Sequence, residues 1–178
     1  MKDRSSDRPA WSVPTSVADT PETGQHIDLV ADGPARAAVA KIAGVHSVDR
    51  LQASFDLTRQ GRDGVRVVGQ VSALVGQHCV VTLEPLHTAV EEAVDLVYLP
   101  RDDVANAMTA GDAGSEEPPE ALQDGVIDLG AVATEFLILG IDPYPRKPGV
   151  AFEPPAVAED QAAHPFAALA ALKKNGGN

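Results

Sequence analysis

Cys79 is the single cysteine of the chain. With His87 and Asp95 downstream, it supplies the residue types of a thiol nucleophile, its base and an orienting acid. Spacing argues against that chemistry. His87 and Asp95 belong to one alternating stretch and would lie roughly 26 Å apart along a strand, which no triad spans. A zinc site built from His78, Cys79 and His87 has the right donor atoms, but adjacent His78 and Cys79 on a strand face opposite sides. Cys79 is therefore expected to be a small buried hydrophobe, with no catalytic residue, metal or cofactor. Neither GxxxxGK[ST] nor GxGxxG occurs, so nucleotide binding has no support.

What remains is chemistry of recognition. DPYPRKPG, from Asp142 to Gly149, holds three prolines in eight residues, so its backbone is extended and stiff. Tyr144, Arg146 and Lys147 are displayed between those prolines, types suited to an RNA backbone or an acidic protein groove. The plainer alternative is a rigid connector with Tyr144 half buried. The net charge of −12 also has a location, because between Glu84 and Glu135 thirteen acids face a single base, Arg101. Bare nucleic acid would be repelled by that segment, whereas a basic protein would be attracted to Asp102, Asp103, Glu116, Glu117 and Glu120. The same acids also suit a solvated loop that keeps the protein soluble.

These residues need a scaffold, and local patterns predict one. From Gly64 to Pro100, Val65, Val67, Val71, Ala73 and Val75 share one parity, as do Leu86, Val90, Val94, Leu96 and Tyr98. That is the period of two strands, each with one buried face. Pro85 marks the turn between them. An arm from Val65 to Cys79 would run about 50 Å if straight, so bends or bulges are expected at Gly69 and Gly76. Leu51, Ala53, Phe55 and Leu57 alternate strictly with polar neighbours, a third strand joined through the glycine-bearing turn Gln60 to Gly64. HIDLVAD, from His26 to Asp32, reads as another strand, and Trp11 to Val17 as a candidate edge strand with Trp11 packed. Asp32 and Pro34 open a helix that Gly44 closes. A second helix follows Asp128 and carries Leu129, Val132, Ala133, Phe136 and Leu137 on one stripe, with Gly140 closing it. Ile138 and Leu139 are expected to bury the last turn against the sheet.

The composite is an α+β domain over residues 25–150, in which a twisted antiparallel sheet of about five strands, open or partly closed into a barrel, is covered by two helices. Residues 1–24 read as a mostly flexible leader. Residues 102–124 form a long acidic loop, rich in small residues and broken by Pro118-Pro119. Residues 151–178 comprise a linker and a short helix, HPFAALAALKK, with Phe166, Leu169 and Leu172 at helical spacing. No run reaches the 18 or more apolar residues of a membrane helix, and MKDRSSDRPAW lacks the apolar core of a signal peptide. A soluble cytoplasmic protein is expected.

The ordered set of features resembles one family. A hairpin with a cysteine at its turn, an acidic loop, VIDLGAVATEFLILGIDPYPRKPG, a spacer and then HPFAALAALKK is similar to the bacterial YceD family, the large ribosomal RNA subunit accumulation proteins, in its alphaproteobacterial form. The resemblance implies a non-enzymatic ribosome biogenesis factor that supports accumulation of 23S rRNA and the large subunit. Contact with a basic ribosomal or assembly protein is the expected mode. The alternative is direct rRNA binding through Arg146, Lys147, Arg59, Arg62 and Arg66. Many relatives carry Cys-x-x-Cys at the hairpin turn and a further cysteine after the last helix, a spacing that suggests zinc. Here Thr82 stands in the second position, and DPYPRKPG has no cysteine.

Overall fold

The computed structural model describes residues 9–61, 63–104 and 118–152. The chain divides into two compact units, Met1–Pro148 and Gly149–Asn178, and the strands and helices among the described residues all lie in the first. The main elements are β1 (Pro14–Ser16), β2 (Gln25–Val30), α1 (Gly33–Ala43), β3 (Ser47–Gln60), β4 (Gly64–His78), β5 (Pro85–Leu99), β6 (Glu120–Ala121), β7 (Val126–Asp128) and α2 (Leu129–Gly140). The fold class is the expected α+β. One sheet runs β2-β3-β4-β5-β6, and β1 pairs separately with β7. The large sheet is open, with β2 and β6 at its edges, and not a closed barrel. It is also mixed, because β6 lies parallel to β5, pairing Tyr98 with Glu120 and Leu99 with Ala121.

Local chemistry accounts for most of these elements. Asp32 caps α1 by accepting the Ala35 amide at 2.8 Å, and Gly44 ends that helix at φ 68°, a conformation a Cβ would strain. Asp128 caps α2 by accepting the Gly130 and Ala131 amides, each at 3.1 Å. Gly140 plays a different part from the one expected. α2 ends at Ile141 with φ −72°, so no left-handed cap is needed. A Cβ on Gly140 would instead strike Glu92 and Val90, which makes this glycine the point where α2 meets β5.

Gly69 and Gly76 likewise serve close approach and not bulges. The β4–β5 register is unbroken from Val65↔Tyr98 to His78↔Pro85. The one irregularity in the β3–β4 pairing falls between Val48 and Arg50. A side chain on Gly69 would collide with the Phe55 ring and the Ser54 carbonyl, and Phe55 is completely buried. The aromatic ring takes the space that the paired glycine leaves.

Alternation then makes one face of the sheet a core. Leu51, Phe55 and Leu57 of β3, Val65, Val67, Val71 and Val75 of β4, and Val94 of β5 join Val39 of α1 and Leu129, Ala133 and Leu137 of α2 in a single buried cluster. Phe136, expected inside, is only partly buried at its margin. Trp11 is buried, and the nearby Val13 carbonyl ties this segment to α2 by accepting the Leu129 amide at 3.0 Å. The last turn of α2 departs from expectation. Leu139 is 72% exposed and Ile138 39%, since Phe136 and Leu137 already spend the sheet-facing side of that turn. Residues 101–104 are helical. Of the acidic stretch, residues 105–117 lie outside the described residues, as do 1–8 and the HPFAALAALKK segment.

Candidate functional site

The unbroken β4–β5 hairpin gives the sheet two ends. Thirteen residues separate Val65, paired with Tyr98, from His78, paired with Pro85, or roughly 43 Å along the strands. The residues singled out for recognition divide between these ends.

At the turn end, Cys79 to Glu84 connects the arms. The Cys79 amide donates to the Glu84 carbonyl at 2.9 Å and the Leu83 amide to the Cys79 carbonyl at 2.8 Å. These bonds hold Leu83 at φ 59°, a left-handed conformation uncommon for a bulky residue, and its side chain is 75% exposed. The proline segment docks on this turn. The Val80 amide donates to the Pro145 carbonyl at 2.9 Å, Gln77 Nε2 to the Asp142 carbonyl at 2.9 Å, and the Lys147 amide to Cys79 Sγ at 3.5 Å. Lys147 Nζ pairs with Glu84 Oε2 at 2.8 Å. Pro145 is buried, whereas Tyr144 is 70% exposed and so not the half-buried residue of a plain connector. Arg146 is exposed and has no ion-pair partner among the described residues.

Cys79 is buried as expected, but it is not simply a hydrophobe. The Thr82 hydroxyl, the Lys147 amide and the amides of Thr82 and Val81 aim donors at Sγ, pulling the thiol pKa from 9.0 down to about 6. Thr82, where the resemblance places a second cysteine, is the leading cause of that lowering. Hydrogen bonds and the Lys147–Glu84 pair join turn and proline segment. The dispersed trio Cys79, His87 and Asp95 stays dispersed: His87 Nε2 pairs with Asp49 at 3.1 Å, and Arg66 grips Asp95 through two bonds of 2.8 and 2.6 Å. Among the described residues, no three His, Cys, Asp or Glu side chains converge as a metal site.

Topology adds residues at this end that no local pattern marked. The His46 amide donates to the Gly76 carbonyl at 3.0 Å, and the His46 ring meets the His78 ring edge-on with centroids 5.2 Å apart. Beside them opens a cleft of about 530 Å³ lined by Arg36, Lys41, His46, Ser47 and Asp49. Arg36 spends one donor on the Ala31 carbonyl at 2.8 Å. The only signal for this cleft in the sequence is compositional, since His46 and Lys41 sit in an unremarkable stretch.

The opposite end carries the acids. Asp102 and Asp103 are exposed directly after β5, next to Arg101, and Glu120 is exposed on β6 at the sheet edge. Burial first, and then the charges of Glu120 and Glu135, push the Tyr98 phenol up to about 12, so the local field is negative. Glu116 and Glu117 lie outside the described residues. The bases expected to serve RNA near this end are already engaged: Arg66 holds Asp95, and Arg59 donates to the Thr20 and Ala18 carbonyls at 2.9 and 3.0 Å. Arg62 lies outside the described residues.

No helix among the described residues is long and apolar enough to cross a membrane. No curated protein and no solved structure matches the chain. A family model does, over residues 67–173, and its description is large ribosomal RNA subunit accumulation protein YceD. That match takes in more than half of the chain, including most of the β4–β5 hairpin, the acidic stretch, α2 and the proline segment, and the chain therefore belongs to the YceD family.

Proposed function

We propose that this protein acts in the cytoplasm as a non-enzymatic factor that supports accumulation of 23S rRNA and the large ribosomal subunit by binding a basic ribosomal or assembly protein through its acidic end. The observation that carries the reading is the way charge is spent there. Arg66 and Arg59 are committed to Asp95 and to backbone carbonyls, while Asp102, Asp103 and Glu120 stay exposed. The open carboxylates outnumber Arg101, the exposed base beside them, and that excess attracts a cationic partner and steers its approach. Family membership supplies the biological setting, and the separation of Cys79, His87 and Asp95 accords with a non-catalytic role.

The test is capture from cells. Replacing Asp102, Asp103, Glu116, Glu117 and Glu120 with their amides should abolish co-purification of a basic large-subunit component and lower the 23S rRNA level. Raising salt should weaken the wild-type contact through screening. Full support of 23S rRNA accumulation by the five-residue variant would overturn the reading.

A further inference from the structure

We propose that the turn end is a separate site for single-stranded RNA, in which Tyr144 stacks on a base while Arg146 and Lys41 hold flanking phosphates. The proposal rests on the chain being a large-subunit assembly factor, but not on its acidic end or on any protein partner.

Charge at this end is spent in the opposite sense to the other. Two nearby acids face a base, Glu84 with Lys147 at 2.8 Å and Asp49 with His87 at 3.1 Å, and Asp142 Oδ1 accepts the Tyr144 amide at 2.8 Å. Arg146 and Lys41 have no ion-pair partner among the described residues. In a chain of net charge −12, these two give a phosphodiester open cations to meet. Phosphate contacts of this kind supply most of the affinity for nucleic acid.

The aromatic component is preorganised. Tyr144 stands between Pro143 and Pro145, its backbone fixed by the Asp142 side chain on one side and by the buried, hydrogen-bonded Pro145 on the other. Its side chain is nonetheless 70% exposed. A ring held out on a rigid backbone gives up little entropy on stacking, and an unstacked base is the partner that fits a single exposed ring. Base pairs in a duplex keep their faces occupied, so the geometry selects single strands.

A chain of contacts links the two parts. From Arg146 the contacts run through Pro145 to Val80, along the chain to His78, across the ring contact to His46, and into the 530 Å³ cleft with Lys41, Arg36 and Ser47. The cleft has room for a sugar-phosphate unit, and the Ser47 hydroxyl and His46 ring offer hydrogen bonds to it, while the Asp49 carboxylate that also lines it faces His87 at 3.1 Å.

Anisotropy titration of a fluorescent single-stranded RNA of about 12 nucleotides into the full chain tests the site. Wild type should bind with an affinity that falls as salt rises, and should prefer this strand to the same sequence as a duplex. Tyr144→Ala with Arg146→Ala should weaken binding about tenfold or more, whereas Tyr144→Phe with Arg146 intact should retain it. Lys41→Ala should lower the slope of log affinity against log salt by about one. Amide replacement at Asp102, Asp103 and Glu120 should leave RNA affinity equal or raised, which keeps this test separate from that of the protein-binding end. Far-UV circular dichroism verifies that each variant is folded, as expected for exposed positions. The proposal fails if wild type does not bind RNA at about 50 mM salt, if duplex binds as well as single strand, or if Tyr144→Ala with Arg146→Ala binds as wild type. Loss of a captured protein with RNA binding unchanged would assign the turn end to a protein instead.

Discussion

The two ends of the β4–β5 hairpin are built from the same strands and yet present opposite surfaces. At the Tyr98 end, Arg66 and Arg59 are used internally while Asp102, Asp103 and Glu120 remain open; at the Cys79 end, Glu84 and Asp49 are paired while Arg146 and Lys41 remain open. A count of charges along the chain sees only the −12 and its location. Which charges are available to a partner depends on which have been paired, and pairing is a property of the folded register. Exposed ion pairs add little stability, about 0–1 kcal/mol each, so their main effect here is on what each end leaves open.

If both ends are held by one core, the largest effect should come from the middle of the sheet. Phe55→Ala empties the space over Gly69 and should cost roughly 3–5 kcal/mol in denaturant unfolding, with hydrogen-exchange protection falling at both ends together. A cost below about 1 kcal/mol, or loss of protection at one end alone, would mean that the ends are independent pieces.

A smaller effect should distinguish acids that are used from acids that are open. Asp128 belongs to the acidic segment by sequence, but its Oδ1 accepts the Val13 amide at 2.7 Å as well as the first amides of α2, and its Oδ2 accepts the Ser12 hydroxyl at 2.6 Å. Asp128→Ala should cost about 1–2 kcal/mol in thermal unfolding. Asp102→Asn and Asp103→Asn, whose side chains have no such partners among the described residues, should stay within about 0.5 kcal/mol of wild type. Equal costs at Asp128 and Asp102 would erase the distinction.

A third effect should be a dependence on pH confined to the turn end. Because the Cys79 thiol pKa is lowered from 9.0 to about 6 in the folded protein, folding favours the thiolate. The resulting stability is fully present above the unfolded pKa and is lost as pH falls through the folded one. Between pH 6 and 9, the denaturation midpoint should therefore rise with pH in wild type, and Cys79→Ala should flatten that rise. An identical slope in the variant would show that the donors around Sγ do not select the charged form.

Much of the scaffold was legible because its signals are local. Alternation from Leu51 to Leu57 and along both hairpin arms gave the strands and their buried face, and Asp32, Gly44 and Asp128 gave helix ends through bonds to residues a few positions away. Glycine misled at Gly69, Gly76 and Gly140 for a physical reason. Its missing Cβ serves a bulge, a left-handed cap or a close approach equally well, and only the neighbour across the gap tells which. Ile138 and Leu139 misled similarly, since an apolar stripe reports a preference for burial and not the number of faces the sheet can cover.

The candidate site was legible as residues and not as an arrangement. Tyr144 and Arg146 stood out because prolines on either side stiffen the backbone, and Asp102, Asp103 and Glu120 because acids crowd one segment. By itself the sequence determined periodicity, caps, turns and the family, all encoded within a few residues or in their order. Tertiary structure alone decided that Lys147 spends its charge on Glu84, 63 positions away, that His46 meets His78, and that Arg59 and Arg66 are occupied. Such contacts form when the chain returns to itself in a particular register, and register depends on every strand of the sheet at once.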